Sequence, residues 1–265
     1  MKNILVPVGS NDRALNTLQY AIDFAQAVGA KIYLVHVYFS PKISGNILKV
    51  DQILERDSKA ILKDHIKKVD TKDVEIITST LKGYSVIDTL KQFNKLLAID
   101  LIIASTKNDG ADKNIFLGKI TGNIIKDTKV PVLIIPKKVI FKPIKRVLMT
   151  IKSGSLKSVS TLDQLVKIKN TFSSNIHLLQ VKTPKLDAKD LVLNDVLESH
   201  IDKLIPTTNA TVFQGVLEFL HEENPDMLCV IRRKRGFFKK LWENDRIKKV
   251  DFDSSIPLLV LKGMS

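Results

Sequence analysis

The chain repeats itself, and that repetition constrains its fold more than any other feature. Four landmarks recur in the same order in its two halves. Ile4-Leu5-Val6 corresponds to Val147-Leu148-Met149, and the run from Ala30 to Val37 corresponds to that from Ser174 to Val181. Ile99-Asp100-Leu101-Ile102-Ile103 matches Pro225-Asp226-Met227-Leu228-Cys229, and Val130-Pro131-Val132-Leu133-Ile134 matches Ile256-Pro257-Leu258-Leu259-Val260. Each half is long enough to bury a core of its own. The offset is about 144 residues for the first two landmarks and about 126 for the last two, so the second copy is roughly 18 residues shorter around its second helix and third strand. Lys137-Lys138-Val139-Ile140-Phe141-Lys142-Pro143 reads as the linker, which sets domains at 1–138 and 143–265.

Within the first copy two kinds of segment alternate. The runs 3–8, 31–37, 74–80, 101–105 and 132–135 are short and rich in Ile, Val and Leu. Such runs read as parallel strands buried on both faces. Segments 13–28, 50–69, 85–97 and 115–128 carry helical spacing between them. In the first of these Leu15, Leu18, Ala21, Ile22 and Ala25 form one apolar stripe, and Gly29 stands where a helix ends on a left-handed residue. Strict alternation of strand and helix requires right-handed crossovers. The expected fold is therefore α/β, two tandem doubly wound domains, each a mainly parallel five-stranded sheet flanked by helices.

Several functional classes drop out. No run approaches the ~20 apolar residues of a membrane-spanning helix. Met1-Lys2-Asn3-Ile4 leads straight into a strand with no signal-peptide anatomy, so a cytoplasmic location is expected. A single cysteine, Cys229, leaves no disulfide framework or cysteine zinc cluster. There is no G-x-x-x-x-G-K-[ST] loop and no G-x-S-x-G elbow. The five histidines show no metal-binding spacing. His36 and His177, which fall on the two second strands at what read as matching places, are taken as structural. No paired acid and base argues for catalysis.

Three stretches of the first half carry a family resemblance. They are Ile4-Leu5-Val6-Pro7-Val8 leading into Ala14–Ala21, then Gly29–Tyr38, then Ile115-Phe116-Leu117-Gly118-Lys119 followed by Val130–Pro136. The second half adds Arg235-Gly236-Phe237-Phe238-Lys239-Lys240-Leu241-Trp242 before its closing strand. Together they resemble the universal stress protein family in its tandem form with degenerate nucleotide motifs. The resemblance implies an adenine nucleotide alpha hydrolase-like fold. It also implies pairing of domains through their last strands, here as a pseudo-dimer within one chain, with homodimerisation open.

The resemblance further implies where a ligand would sit. Doubly wound sheets bind ligands beyond the strand C-termini, at the point where strand order reverses. That position holds Pro7, Val8, Gly9, Val37 and the loop after Ser105. Family members that bind ATP use a loop of glycines spaced two and nine residues apart, followed by a hydroxyl. Glycine permits close backbone approach, and helix N-terminal N–H groups hold phosphate. Ser105, Asn108, Gly118 and Lys119 occupy those positions, so only the third glycine survives. The family's aspartate after the first strand corresponds to Gly9. In the second copy Lys152 matches Gly9, while Ile231, Lys234, Asn244 and Asp245 match the loop positions. The expectation is weak or absent ATP or AMP binding in the first domain and none in the second.

The net charge of +14 is concentrated, because residues 232–249 hold nine Lys/Arg against Glu243 and Asp245. Arg232, Arg233 and Arg235 are candidate anion contacts. Phe237, Phe238 and Trp242 interleave with this charge, so nucleic acid is one reading of the segment, although their spacing favours helix packing. Three functions follow from these residues. The leading one is a non-enzymatic stress-response module acting through a protein partner, and the others are an ATP- or AMP-regulated switch and an anion or nucleic-acid binder.

Overall fold

The computed structural model describes residues 1–11, 14–39, 47–106, 115–151, 154, 156, 158–184, 191–232, 247–248 and 255–263. The chain divides into two compact units, Met1–Lys113 with Gly118–Phe141, and Asn114–Leu117 with Lys142–Ser265.

The first unit runs β1 (Asn3–Val8), α1 (Ala14–Val28), β2 (Lys31–Tyr38), α2 (Ile47–Lys67), β3 (Ile76–Lys82), α3 (Val86–Leu97) and β4 (Leu101–Ser105). A short β5 (Ile115–Leu117), grouped with the second unit, precedes α4 (Lys119–Asp127) and β6 (Val132–Ile135). The strand order is β3-β2-β1-β4-β6, with every neighbouring pair parallel. Chain order reverses between β1 and β4, so the sheet is doubly wound. Its central strands are fully buried at Ile4, Leu5, Val6, Leu34, Val35 and Ile103. Helix α1 lays Leu18, Ala21, Ile22 and Ala25 on this sheet and ends at Gly29, whose φ of 65° is the left-handed cap. Phe141 closes the unit by packing edge-on against Tyr20 and Phe24.

The second unit runs β7 (Arg146–Thr150), a 3-10 turn (Val159–Leu162), α5 (Asp163–Phe172), β8 (Asn175–Lys182), α6 (Asp195–Glu198) and β9 (Lys203–Thr208). It continues through α7 (Val212–Glu223), β10 (Met227–Arg232), β11 (Ile247–Lys248) and β12 (Leu258–Lys262). Its main sheet, β9-β8-β7-β10-β12, is again all parallel and repeats the first unit's order strand for strand. A separate antiparallel ribbon joins β11 to β5.

One device occurs in both copies. Asp100, just before β4, accepts the backbone N–H groups of Lys2 at 2.6 Å and Asn3 at 3.1 Å. Asp226, just before β10, accepts those of Lys145 at 2.9 Å and Arg146 at 2.8 Å. Each aspartate thereby fixes the start of the central strand to its neighbour. The shortening of the second copy falls on the second helix, which has 21 residues in α2 but only 4 in α6.

Two expectations need correction. The helix read over 115–128 begins only at Lys119, since Ile115–Leu117 is a strand and Gly118 is the helix N-cap. His36 and His177 do not match in register. His36 stands opposite Val8, whereas His177 stands opposite Leu148, the place that Tyr33 takes opposite Leu5.

Candidate functional site

Register brings the expected residues of the first unit to one end of its sheet. Pro7 and Val8 lie opposite Val35 and His36, which places Gly9, just past the end of β1, beside Val37, the penultimate residue of β2. Ser105 ends β4, the strand on the other side of β1. From there the backbone is tied in place. Thr106 N–H donates to the Ile135 carbonyl at 3.2 Å, and Gly118 N–H donates to the Thr106 carbonyl at 3.0 Å. Gly118 thus opens α4 next to the C-terminal end of β4. Asn108 lies outside the described residues.

The mouth so formed has particular chemistry. Gly118, as N-cap, supplies no side chain to cap the first turn of α4. Its φ of −72° is open to any residue, so the glycine gives close approach rather than unusual backbone geometry. The hydroxyl of Thr121 is already committed, donating to the Ser105 carbonyl at 2.8 Å. Lys119 is exposed and follows Gly118 as the first residue of α4. A side chain added at Gly9 would have open space, with nothing within 4 Å of its Cβ. The loop after β1 is held from behind by α2. The buried His65 sets Nδ1 2.8 Å from the Ile61 carbonyl and Nε2 3.2 Å from the Asn11 carbonyl. His36 Nδ1 lies 2.7 Å from the Ser58 hydroxyl. Burial, helped by the neighbouring His65, holds the His36 pKa below its ordinary value.

The corresponding end of the second unit is roofed. Thr150, Ile151, Gly154 and Leu156 are all buried there. The roof is the stretch 191–197. Gln180 donates to the Leu191 carbonyl at 2.6 Å, Asn194 N–H to the Gly154 carbonyl at 3.1 Å, and the Asn194 side-chain amide to the Leu156 carbonyl at 2.8 Å. Gly154 permits this approach, because a Cβ there would collide with the Val192 carbonyl. The buried Thr150 hydroxyl at the end of β7 has no hydrogen-bond partner among the described residues. The absence of a second site was expected from Ile231, Lys234, Asn244 and Asp245 at the loop positions. Ile231 is instead an interior residue of β10 opposite Leu261, and Lys152, Lys234, Asn244 and Asp245 lie outside the described residues. The one sequence signal for the roof was Gly154 between serines, a turn composition.

Of the basic cluster, Arg232 ends β10 half-buried, while Arg233 and Arg235 lie outside the described residues. His177 Nδ1 sits 2.6 Å from Glu223 Oε2, and Lys203 Nζ reaches Oε1 at 2.9 Å. These bonds, Lys203's first, hold Glu223 below the usual carboxylate range despite burial. Burial pushes the Cys229 thiol up, so it packs as an apolar group. Among the described residues no group of His, Cys, Asp and Glu forms a metal site, and no helix is long and apolar enough to cross a membrane.

The fold defines a doubly wound α/β module whose Gly9, Ser105 and Gly118 gather at the switch point of its first sheet. The sequence model described as the universal stress protein family matches residues 1–136. The chain belongs to that family. It is 26% identical over 141 residues to universal stress protein MJ0531 of Methanocaldococcus jannaschii, a match spanning 51% of this chain and 82% of that protein. Among solved structures it resembles a universal stress protein from Archaeoglobus fulgidus, with 18% identity, a TM-score of 0.72, and coverage of 98% of this chain and 96% of that one. A functionally unknown protein of Pseudomonas aeruginosa, PA1789, aligns with 13% identity and a TM-score of 0.61 over 99% of this chain and 92% of that one. At these identities the structural likeness shows the fold, and it does so along the whole chain.

Proposed function

We propose that this chain is a non-enzymatic stress-response module that acts through protein contacts, with a weakened ATP or AMP site in its first unit and none in its second. The observation that carries this reading is the contrast between the two mouths. In the first unit a side chain at Gly9 would meet open space, whereas in the second unit Gly154, Leu191 and Asn194 close the same end of the sheet.

Affinity in the first mouth is limited by what has been replaced. The aspartate expected after β1 is Gly9, and the hydroxyl after the third glycine is Lys119. A hydrogen bond to a charged group contributes about 1.5–3 kcal/mol, and each ~1.4 kcal/mol is tenfold in affinity. Two such losses move a micromolar site to about millimolar.

Ligand-observed NMR with ATP and AMP tests the reading on the intact protein. Saturation transfer to the adenine protons is expected, and Gly118→Asp should abolish it by setting a carboxylate where phosphate approaches α4. ATP transfer undiminished in Gly118→Asp would remove this mouth as the site. Measurable ATP turnover that Gly118→Asp abolishes would overturn the non-enzymatic part.

A further inference from the structure

Another face of the first unit carries a feature that the nucleotide mouth does not use. Strand β3 is the outer strand of its sheet, with β2 as its one strand partner among the described residues. Its pairing with β2 settles which backbone groups point outward. Ile32 N–H donates to the Glu75 carbonyl at 2.9 Å, and Gly83 N–H donates to the Tyr38 carbonyl at 3.1 Å, with Ile32 opposite Ile76. In a parallel ladder this assigns the odd-numbered residues of β3 to β2. Ile76, Thr78, Thr80 and Lys82 therefore turn their N–H and C=O groups to the open edge. The same four residues share one face, the α2 face, as the ion pair between Lys82 and Asp51 of α2 marks.

A groove of about 570 Å³ lies between that face and α2. Leu62 and Ile66 form its floor, Thr78 and Thr80 line the strand side, and Lys63 and Lys67 stand on the helix side. Lys59, one turn earlier, is engaged by Glu55 at 2.5 Å. Among the described residues Lys63 and Lys67 have no ion-pair or hydrogen-bond partner. The outer strand of the second unit is different. There β9 carries Pro206 in mid-strand and Lys203 at its start, both of which blunt an edge. Between Ile76 and Leu81, β3 has neither charge nor proline.

We propose that the β3 edge binds an extended acidic segment of a partner protein by strand addition, with acidic side chains at alternate positions meeting Lys63 and Lys67. The spacing agrees. Residues four apart on a helix are about 6 Å apart, and residues two apart on a strand are about 6.7 Å apart. Main-chain pairing supplies affinity in this mode, and the alternate side chains supply specificity. The inference rests on the reading of the chain as a module for protein contacts and gives that partner a chemistry. It does not depend on nucleotide.

Fluorescence anisotropy tests it, using the full chain without nucleotide and a fluorescein-labelled nine-residue peptide alternating Glu with Val. Saturable binding is expected, weakened roughly tenfold or more by Lys63→Glu with Lys67→Glu and by N-methylation of alternate peptide amides. Thr78→Pro, which removes one outward N–H at an edge that tolerates proline, should weaken it as well, with circular dichroism confirming the fold. A peptide with Lys in place of Glu should not bind. The proposal is overturned if saturation is absent up to about 1 mM peptide. Equal binding of the Lys peptide, or indifference to N-methylation, also overturns it. Displacement by inorganic phosphate together with that indifference would make the groove a small-anion site instead. Failure here would leave the nucleotide reading standing, because that reading is tested at Gly118.

Discussion

Replacing Asp226 by alanine removes a carboxylate that fixes the first strand of the second unit. One oxygen of Asp226 accepts the backbone N–H groups of Lys145 and Arg146, and the other is 2.7 Å from Lys142 Nζ. The carboxylate is 12% exposed while Lys142 is 68% exposed, so solvent screens the ammonium's share of the stability and the two N–H groups are what tie the strand down. Hydrogen bonds to a charged group are worth about 1.5–3 kcal/mol each. Here both converge on one oxygen, and water reaches the exposed backbone of Lys145 and Arg146 once the carboxylate is gone. The expected cost is therefore about 2 kcal/mol rather than double that. For a unit of this size it corresponds to a fall of about 8 °C in Tm. The pH dependence gives a second readout. Burial opposes ionisation of Asp226, but the hydrogen bonds from Lys142, Arg146 and Lys145 outweigh it and hold the pKa below the ordinary carboxylate value. A depressed pKa stabilises the fold above the unfolded value of about 3.9 and is lost as pH falls through the folded value. Urea unfolding of wild type and Asp226→Ala should thus differ at pH 7 and converge below about pH 4. A difference under about 0.5 kcal/mol at pH 7, or one that persists unchanged at pH 3, would refute the clamp. Asp100→Ala should reproduce the effect in the first unit.

Three further outcomes follow from the two mouths and their surroundings. Gly9→Asp should tighten ATP binding roughly 10- to 150-fold in calorimetry, since a side chain there meets open space and regains a charged hydrogen bond; unchanged affinity would show that Gly9 does not face the ligand. His36→Gln, which installs the residue the second copy carries at Gln180, should flatten the pH dependence of stability. The lowered His36 pKa adds stability above the unfolded value of about 6.5, lost as pH falls through the folded value, so parallel wild-type and variant slopes between about pH 7 and 5 would contradict the cause given. Gly154→Val should disturb the roof over the second mouth and destabilise that unit by about 1–3 kcal/mol, read as an earlier unfolding transition; a neutral effect would mean that residues 191–194 do not pack there.

Much of the architecture was legible because buried parallel strands have no polar face to obscure them. Ile4–Val8 of β1, Leu101–Ala104 of β4 and all of β6 are unbroken apolar runs, and the expected strand bounds coincide with the observed ones. The α4 boundary was misread for a related reason. Ile115-Phe116-Leu117 continues the apolar spacing of the helix that follows, and only the conformation of Gly118 separates strand from helix. Register was harder. His36 and His177 each fall on a second strand, but a two-residue periodicity does not say which partner stands opposite. The roof over the second mouth depends on contacts between Gly154 and Asn194, about 40 residues apart, which no local pattern encodes. The open edge of β3 is likewise invisible to hydrophobic periodicity, which reports faces and not the direction of N–H groups.

The central claim is that one copy keeps a weakened mouth and the other has closed its own. Isothermal titration of the intact chain with ATP tests this most directly. The account predicts a single weak site with a Kd of about 1 mM, without the Gly9→Asp substitution. Low-micromolar binding, or two sites per chain, would contradict it.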